Sequence, residues 1–224
     1  MSTPIRFDIE EIKIRTPTRM MCIGQSGTGK TEWLIKLIKS AKHQLVQPPD
    51  RIIYYYSILQ PKIAKLAKET ANMELHEGFD ANLYANHKPS SHLLICVDDL
   101  MNSDCYKELS NLFTRGRHLN ISTIFLTQNA YFKGTSAAVK YNRDILVNAT
   151  DLVYFRSLRD HVGAMTIGRQ AFPHKYEFFK QVYEDVMKQP FSYLYMSFNA
   201  QARRELILRT NIFYNLGEIP IVYM

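Results

Sequence analysis

The run Gly24-Gln25-Ser26-Gly27-Thr28-Gly29-Lys30-Thr31 leaves this chain few ways to fold. It meets the pattern G-x-x-x-x-G-K-[ST] without deviation, and such a loop needs a buried strand before it and a helix N-terminus after it. Both flanks are present. Arg19-Met20-Met21-Cys22-Ile23 reads as an apolar strand, and Glu32 to Lys42 carries Trp33, Leu34, Leu37, Ile38 and Ala41 at helical spacing. Glycines let the backbone close so that amide N–H groups point inward, and the helix adds its positive end. The loop therefore predicts a cradle for the phosphates of ATP. Lys30 is expected to reach the β- and γ-phosphates and the Thr31 hydroxyl to ligate Mg²⁺. A glycine-rich turn without a ligand is the competing reading, and the strand and helix on either side argue against it.

Strand-like and helix-like stretches alternate along the rest of the chain, which predicts an α/β fold with a mainly parallel central sheet flanked by helices. Further strands are expected at Ile52 to Tyr56, Leu93 to Val97, Ile121 to Leu126 and Leu152 to Phe155, then at Phe191 to Met196 and Leu206 to Leu208. Helices are expected around Ile63, Leu66 and Ala67, and at Asp104 to Phe113, Ser136 to Leu146, Leu158 to Gly168 and Lys175 to Lys188. No gap is long or Gly/Ser-rich enough to mark a linker. Residues 1–18 are read as an N-terminal extension that forms strand, and 19–224 as one domain with a C-terminal elaboration.

The apolar strand Leu93 to Val97 ends in Asp98-Asp99. Parallel strands deliver their carboxyl ends to one crevice, so this pair should stand beside the phosphate loop. Asp98 is the expected Walker-B carboxylate, acting on Mg²⁺, and Asp99 the expected general base for the lytic water. A turn or helix cap is the plainer reading of Asp99. Gln128 closes the strand Ile121-Ser122-Thr123-Ile124-Phe125-Leu126 after Thr127 and would look toward the γ-phosphate, sensing it and positioning water. Arg115 and Arg117 fall before that strand, at the opposite end of the sheet. There they cannot easily serve their own nucleotide, but either could serve a neighbour's as a trans-acting arginine. The competing reading is a solvent-exposed or capping side chain.

The net charge of +7 is compatible with a polyanionic partner and does not establish one. Lys36, Lys39 and Lys42 read as a solvated helix face. The three cysteines, Cys22, Cys96 and Cys105, lack metal-ligand spacing and read as reduced core thiols, in keeping with a reducing compartment. No apolar run approaches the roughly 18 residues a membrane helix needs, and the start Met1 to Asp8 has no apolar signal-type region.

Several segments together resemble a known family: Asp98-Asp99-Leu100-Met101, Phe113-Thr114-Arg115-Gly116-Arg117-His118, Asn120-Ile121-Ser122 and Leu126-Thr127-Gln128-Asn129. They are similar to the packaging ATPases of the FtsK–HerA superfamily, above all those of Polinton/Maverick elements, adintoviruses and related small DNA viruses. Outside the expected ATP site, Ile53-Tyr54-Tyr55-Tyr56-Ser57 with Gln60, Glu74 to Gly78, Phe155 to Asp160, Arg169 to Pro173 and Leu208 to Phe213 also look similar. The resemblance implies a RecA-like P-loop ATPase core, a homo-oligomeric ring and ATP-driven movement of double-stranded DNA into a capsid. It implies a capsid or portal-type vertex protein as partner and a site of action inside an infected cell, in the nucleus or a cytoplasmic virus factory, or association with the virion. Lys30 and Thr31 take the Walker-A roles, Asp98 and Asp99 the Walker-B roles, and Gln128 the sensor role. Arg117 is the first candidate for the trans-acting arginine and Arg115 the second. The family's second Walker-B residue is often Glu, whereas Asp99 is one methylene shorter.

DNA contacts are not carried by any motif. Lys133, Lys140 and Arg143 follow Gln128 and suit either a pore-lining loop or an ordinary exposed connection. Tyr54-Tyr55-Tyr56 suits packing within a strand. A cellular DNA translocase or helicase of the same superfamily is the nearest alternative, although such proteins usually carry additional domains. A small P-loop kinase would need an acceptor pocket and a lid, and a GTPase would need a base-reading Asn/Thr-Lys-x-Asp run. None of these is visible. A nucleotide-gated scaffold is the non-enzymatic alternative.

Overall fold

A computed structural model of the protein describes residues 7–100, 103–131, 137–157 and 160–224. Lys133, Met101, Leu158 and Arg159 lie outside the described residues. In chain order the elements are α1 (Ile9–Ile12), β1 (Arg19–Ile23), α2 (Lys30–Lys39), α3 (Ala41–Gln44), β2 (Arg51–Tyr56), α4 (Pro61–Glu69) and β3 (Met73–Glu77). There follow β4 (Leu93–Asp98), α5 (Ser103–Arg115), β5 (Ile121–Thr127), α6 (Ala137–Asn148), β6 (Asp151–Phe155), α7 (His161–Ala171), α8 (Tyr176–Val186), β7 (Tyr193–Ser197), β8 (Leu208–Thr210) and β9 (Ile221–Tyr223).

The strands form one nine-stranded sheet in the order β3-β2-β4-β5-β1-β6-β7-β8-β9. The first six are mutually parallel and the last three run antiparallel. The expected α/β class and mainly parallel sheet are thus observed. Successive strand residues point to opposite faces, and this divides the core in two. Cys22, Tyr54, Cys96 and Leu126 face α2 and α4, packing against Trp33, Leu34, Leu37, Ile63 and Leu66. Ile23, Tyr55, Val97 and Phe125 face the other way, onto Leu109 and Phe113 of α5, Ile145 of α6, Met165 of α7 and Phe179 of α8. β4 and β5 are buried along their whole length, so neither shows the alternation of a half-exposed strand. Each fully buried large apolar side chain contributes about 1.5–3 kcal/mol, which makes these central strands a stiff support for whatever their ends carry.

Some expectations need correction. Residues 7–18 do not form a strand of the sheet. Asp8 caps the turn of α1, accepting from the Glu10 N–H, and only Ile14 pairs, in one parallel bridge to Leu45. The last expected strand, Leu206 to Leu208, is displaced to β8, because Arg204–Leu206 forms a 3-10 turn. α7 begins later than expected, at His161, where the Asp160 side chain caps it by accepting from the Gly163 N–H. β3 and β9, both at edges, were not anticipated.

Candidate phosphate and metal site

The phosphate loop leaves the end of β1 and is tied to β5 at once, because the Gly24 N–H donates to the Thr127 carbonyl at 3.1 Å. Thr28 closes the loop, its hydroxyl donating to the Gln25 carbonyl at 2.8 Å. Gly27 and Gly29 have φ of +78° and +103°, which glycine adopts without steric cost. At Gly24 the constraint is space. A Cβ there would lie 2.7 Å from both Phe155 Cβ and Thr28 Oγ1. Gly29 is the N-cap of α2, so the free N–H groups of the first helical turn open toward the loop. Lys30 Nζ sits within the loop, donating to the carbonyls of Gly24 at 2.5 Å and Gln25 at 3.0 Å. Burial pushes the Lys30 pKa down, and the charges of Asp98 and Asp99 oppose that.

Asp98 is the last residue of β4 and faces α2. Its Oδ2 accepts a 2.6 Å hydrogen bond from the Tyr54 hydroxyl. β2 and β4 pair in parallel with Tyr54 opposite Cys96, so Tyr54, Cys96 and Asp98 share one face and the phenol reaches up to the carboxylate. Gln60 stands before Pro61, the first residue of α4, with Nε2 3.4 Å from both Asp98 Oδ2 and Thr31 Oγ1. It spans the two groups expected at the metal. Burial raises the Asp98 pKa, the Tyr54 hydrogen bond and the Lys30 charge lower it, and Asp99 raises it. Tyr54 and Gln60, read from the sequence as lying outside the ATP site, therefore border it. The register that brings them there is a property of the sheet and leaves no local signal.

Asp99 leaves the strand in the left-handed region, at φ 52°, which Asp tolerates better than most residues. Its N–H still donates to Leu126 of β5. Gln128 Nε2 donates to Asp99 Oδ2 at 3.2 Å. The other oxygen, Oδ1, is buried and has no hydrogen-bond partner among the described residues. The lysine, the threonine, both carboxylates and the glutamine line one cleft of about 800 Å³. Arg115 ends α5 and Arg117 lies in the following 3-10 turn, both exposed, where β5 begins rather than where it ends. The structure does not bring them to this cleft. Arg117 instead adds to the repulsion at Arg19, whose pKa is lowered first by burial and then by that neighbouring charge.

The donor set fits a magnesium–nucleotide complex. Thr31 and Asp98 offer one hydroxyl and one carboxylate, while among the described residues no cluster of three or more His, Cys, Asp or Glu could hold an ion. Mg²⁺ is commonly held through one or two protein oxygens together with substrate phosphates, so this two-ligand set suits an ion that would arrive on its nucleotide. No helix among the described residues is long and apolar enough to cross a membrane.

The family model described as "Poxvirus A32 protein" matches residues 5–137, a stretch holding every site residue named above. The chain is 29% identical over 133 residues to the DNA packaging protein OPG160 of Variola virus, covering 54% of this chain and 49% of the relative. It is 30% identical over 128 residues to that of Vaccinia virus (strain Copenhagen), covering 51% and 47%. The chain thus spans about half the length of the curated relatives it matches. Among solved structures, EssC (ATPases 2 and 3) from Geobacillus thermodenitrificans aligns over 62% of this chain and 32% of its own, at 11% identity and a TM-score of 0.45.

Proposed function

This chain belongs to the poxvirus A32 protein family, and we propose that it is a RecA-like ATPase that drives double-stranded DNA into a viral capsid. The observation that carries the reading is the meeting, in one cleft, of the Gly24–Thr31 loop, the Tyr54-supported Asp98 and the Asp99–Gln128 pair. The relatives named as DNA packaging proteins supply the direction of the proposal beyond ATP hydrolysis.

In this reading the amides of Gly27 to Thr31 and the Lys30 ammonium hold the phosphates. Thr31 and Asp98 would hold the Mg²⁺ of the nucleotide, which when bound would supply positive charge against that of the phosphates. Gln60 and Tyr54 keep those two ligands aimed. Asp99 is the proposed base for the water, and Gln128 holds its Oδ2 and with it the direction of the carboxylate. Water attacks the γ-phosphorus as its proton passes to Asp99, the bond to the β,γ-bridging oxygen breaks, and ADP and phosphate leave. Arg117, and failing it Arg115, would act on the nucleotide of the adjacent copy in a homo-oligomeric ring. A capsid or portal-type vertex protein is the proposed docking partner, and an infected cell's nucleus or virus factory, or the virion, the proposed place of action. Kinship with the packaging ATPases of Polinton/Maverick elements and adintoviruses is proposed on the motifs alone.

Lys30→Ala tests the reading. Burial penalises the Lys30 charge, so its loss should leave the melting temperature unchanged or slightly higher while abolishing phosphate release from ATP. Turnover near that of the wild type in the folded variant would sink the assignment.

A further inference from the structure

One wall of the cleft is built by the turn between α8 and β7. Gln189-Pro190-Phe191-Ser192 joins α8 to β7 as a tight turn, closed by the Ser192 N–H donating to the Gln189 carbonyl at 3.4 Å and the Ser192 hydroxyl donating to the same carbonyl at 2.8 Å. Proline stands at the second position and a positive φ, 60°, at the third, as in a type II turn. Glycine is the residue that position favours. Here it is phenylalanine. An aromatic residue with φ above zero is a conformational outlier that persists only where its surroundings hold it.

Those surroundings are specific. The Arg156 N–H, just past β6, donates to the Ser192 carbonyl at 2.9 Å, and Arg156 Nε donates to the Met187 carbonyl at 2.7 Å. Ser192 at the end of the turn and Met187, two residues before its start, are thereby pinned to the end of the strand beside β1. The ring is not held there by burial, because Phe191 is 69% exposed. Its Cδ1 lies 3.8 Å from where a Cβ on Gly29 would stand, so the ring borders the phosphate loop and lines the cleft.

We infer that Phe191 is the platform on which the purine base of the nucleotide stacks. This rests on the proposed nucleotide reading and deepens it. Once the phosphates occupy the amides of Gly27 to Thr31, what remains of the nucleotide to be placed is the ribose and, at its far end, a neutral, flat base. The wall beside the loop offers it a solvent-facing aromatic ring carried on a strained but pinned turn. Stacking is tolerant of base identity because every base has a π-face. Phe191 lies beyond the region shared with the poxvirus A32 model, so the platform belongs to the part of this chain that the family match does not reach.

The experiment compares binding of Mg-ATP and of magnesium tripolyphosphate to the full chain by calorimetry. Phe191→Gly relieves the positive φ and should fold with a melting temperature no lower than the wild type. It should bind ATP about ten- to a hundredfold more weakly, with tripolyphosphate affinity changed less than about twofold, since the phosphate loop is intact. Phe191→Tyr, which keeps the ring, should restore ATP affinity. Unchanged ATP affinity in Phe191→Gly, or equal loss for ATP and tripolyphosphate, overturns the inference while leaving the phosphate site standing. Failure of the wild type to bind either ligand overturns the nucleotide reading and this inference with it.

Discussion

Tyr54→Phe removes one oxygen and nothing else from the site. The ring is buried in the core that faces α2 and α4, and phenylalanine fills the same space. What disappears is the 2.6 Å hydrogen bond to Asp98 Oδ2. Burial, and then the Asp98 charge, hold the Tyr54 hydroxyl pKa far above the usual phenol range, so it is a donor at every working pH. Hydrogen bonds to charged groups contribute about 1.5–3 kcal/mol, and 1.4 kcal/mol is a factor of ten in an equilibrium constant. Lys30 still attracts the carboxylate and Gln60 stays 3.4 Å away, which argues for the low end, about tenfold. The loss should fall on metal affinity, because without the phenol the Asp98 carboxylate is free to turn and its ionised form has one donor fewer. The assay is ATP affinity measured in Mg²⁺ and again in excess EDTA. The gain in affinity that Mg²⁺ confers should shrink about tenfold, with the EDTA value unchanged. If both values fall together, Tyr54 supports the fold and not the metal ligand; if neither moves, the hydrogen bond does not act on the metal at all.

Asp98→Asn should separate stability from function. Its folded pKa is raised, chiefly by burial, so the carboxyl's contribution to stability is full at low pH and lost as pH rises through the folded value. The neutral amide avoids that loss. For a chain of this size a gain of about 1 kcal/mol is about 2–4 °C in Tm. The gain should be seen at neutral pH by calorimetry and fade on acidification, while Mg²⁺-dependent ATP binding is lost. Arg117→Ala should bind ATP normally and hydrolyse it about 10³–10⁵-fold more slowly. Mixed with Asp99→Asn, it should recover phosphate release, because some interfaces then pair an intact Asp99 with an intact Arg117; mixed oligomers with no recovery at any ratio would exclude Arg117 from a trans role.

The parts legible in the sequence are those whose signal is local. The glycine loop, the apolar run of β4, the largely apolar β5, and the polar residues at their ends needed no knowledge of which strands are neighbours, and the structure brings Lys30, Thr31, Asp98, Asp99 and Gln128 to one cleft. What escaped depends on register or on distant packing. Tyr54 reads as one of three tyrosines in a strand until β2 pairs with β4 and puts it on the face of Asp98. β3 was hidden by its glutamates and histidine, which an edge strand can carry because only part of it is buried. Asp151 gave no sign that it would be buried among the hydroxyls of Thr18, Thr150, Tyr195 and Ser197, where it pins β1, β6 and β7 together at the end opposite the site. The turn that presents Phe191 was invisible because proline announces a turn but not where the next side chain will point.

The most direct test of an ATP-driven DNA motor is the rate of phosphate release per subunit, with and without double-stranded DNA, across a range of protein concentrations. DNA of unrelated sequences should raise the rate alike, since a packaging motor grips phosphates rather than bases. The stimulation should fall steeply with added salt, and the rate per subunit should climb with protein concentration as copies assemble. Slow turnover that ignores DNA and protein concentration alike would contradict the motor and leave a nucleotide-gated scaffold in its place.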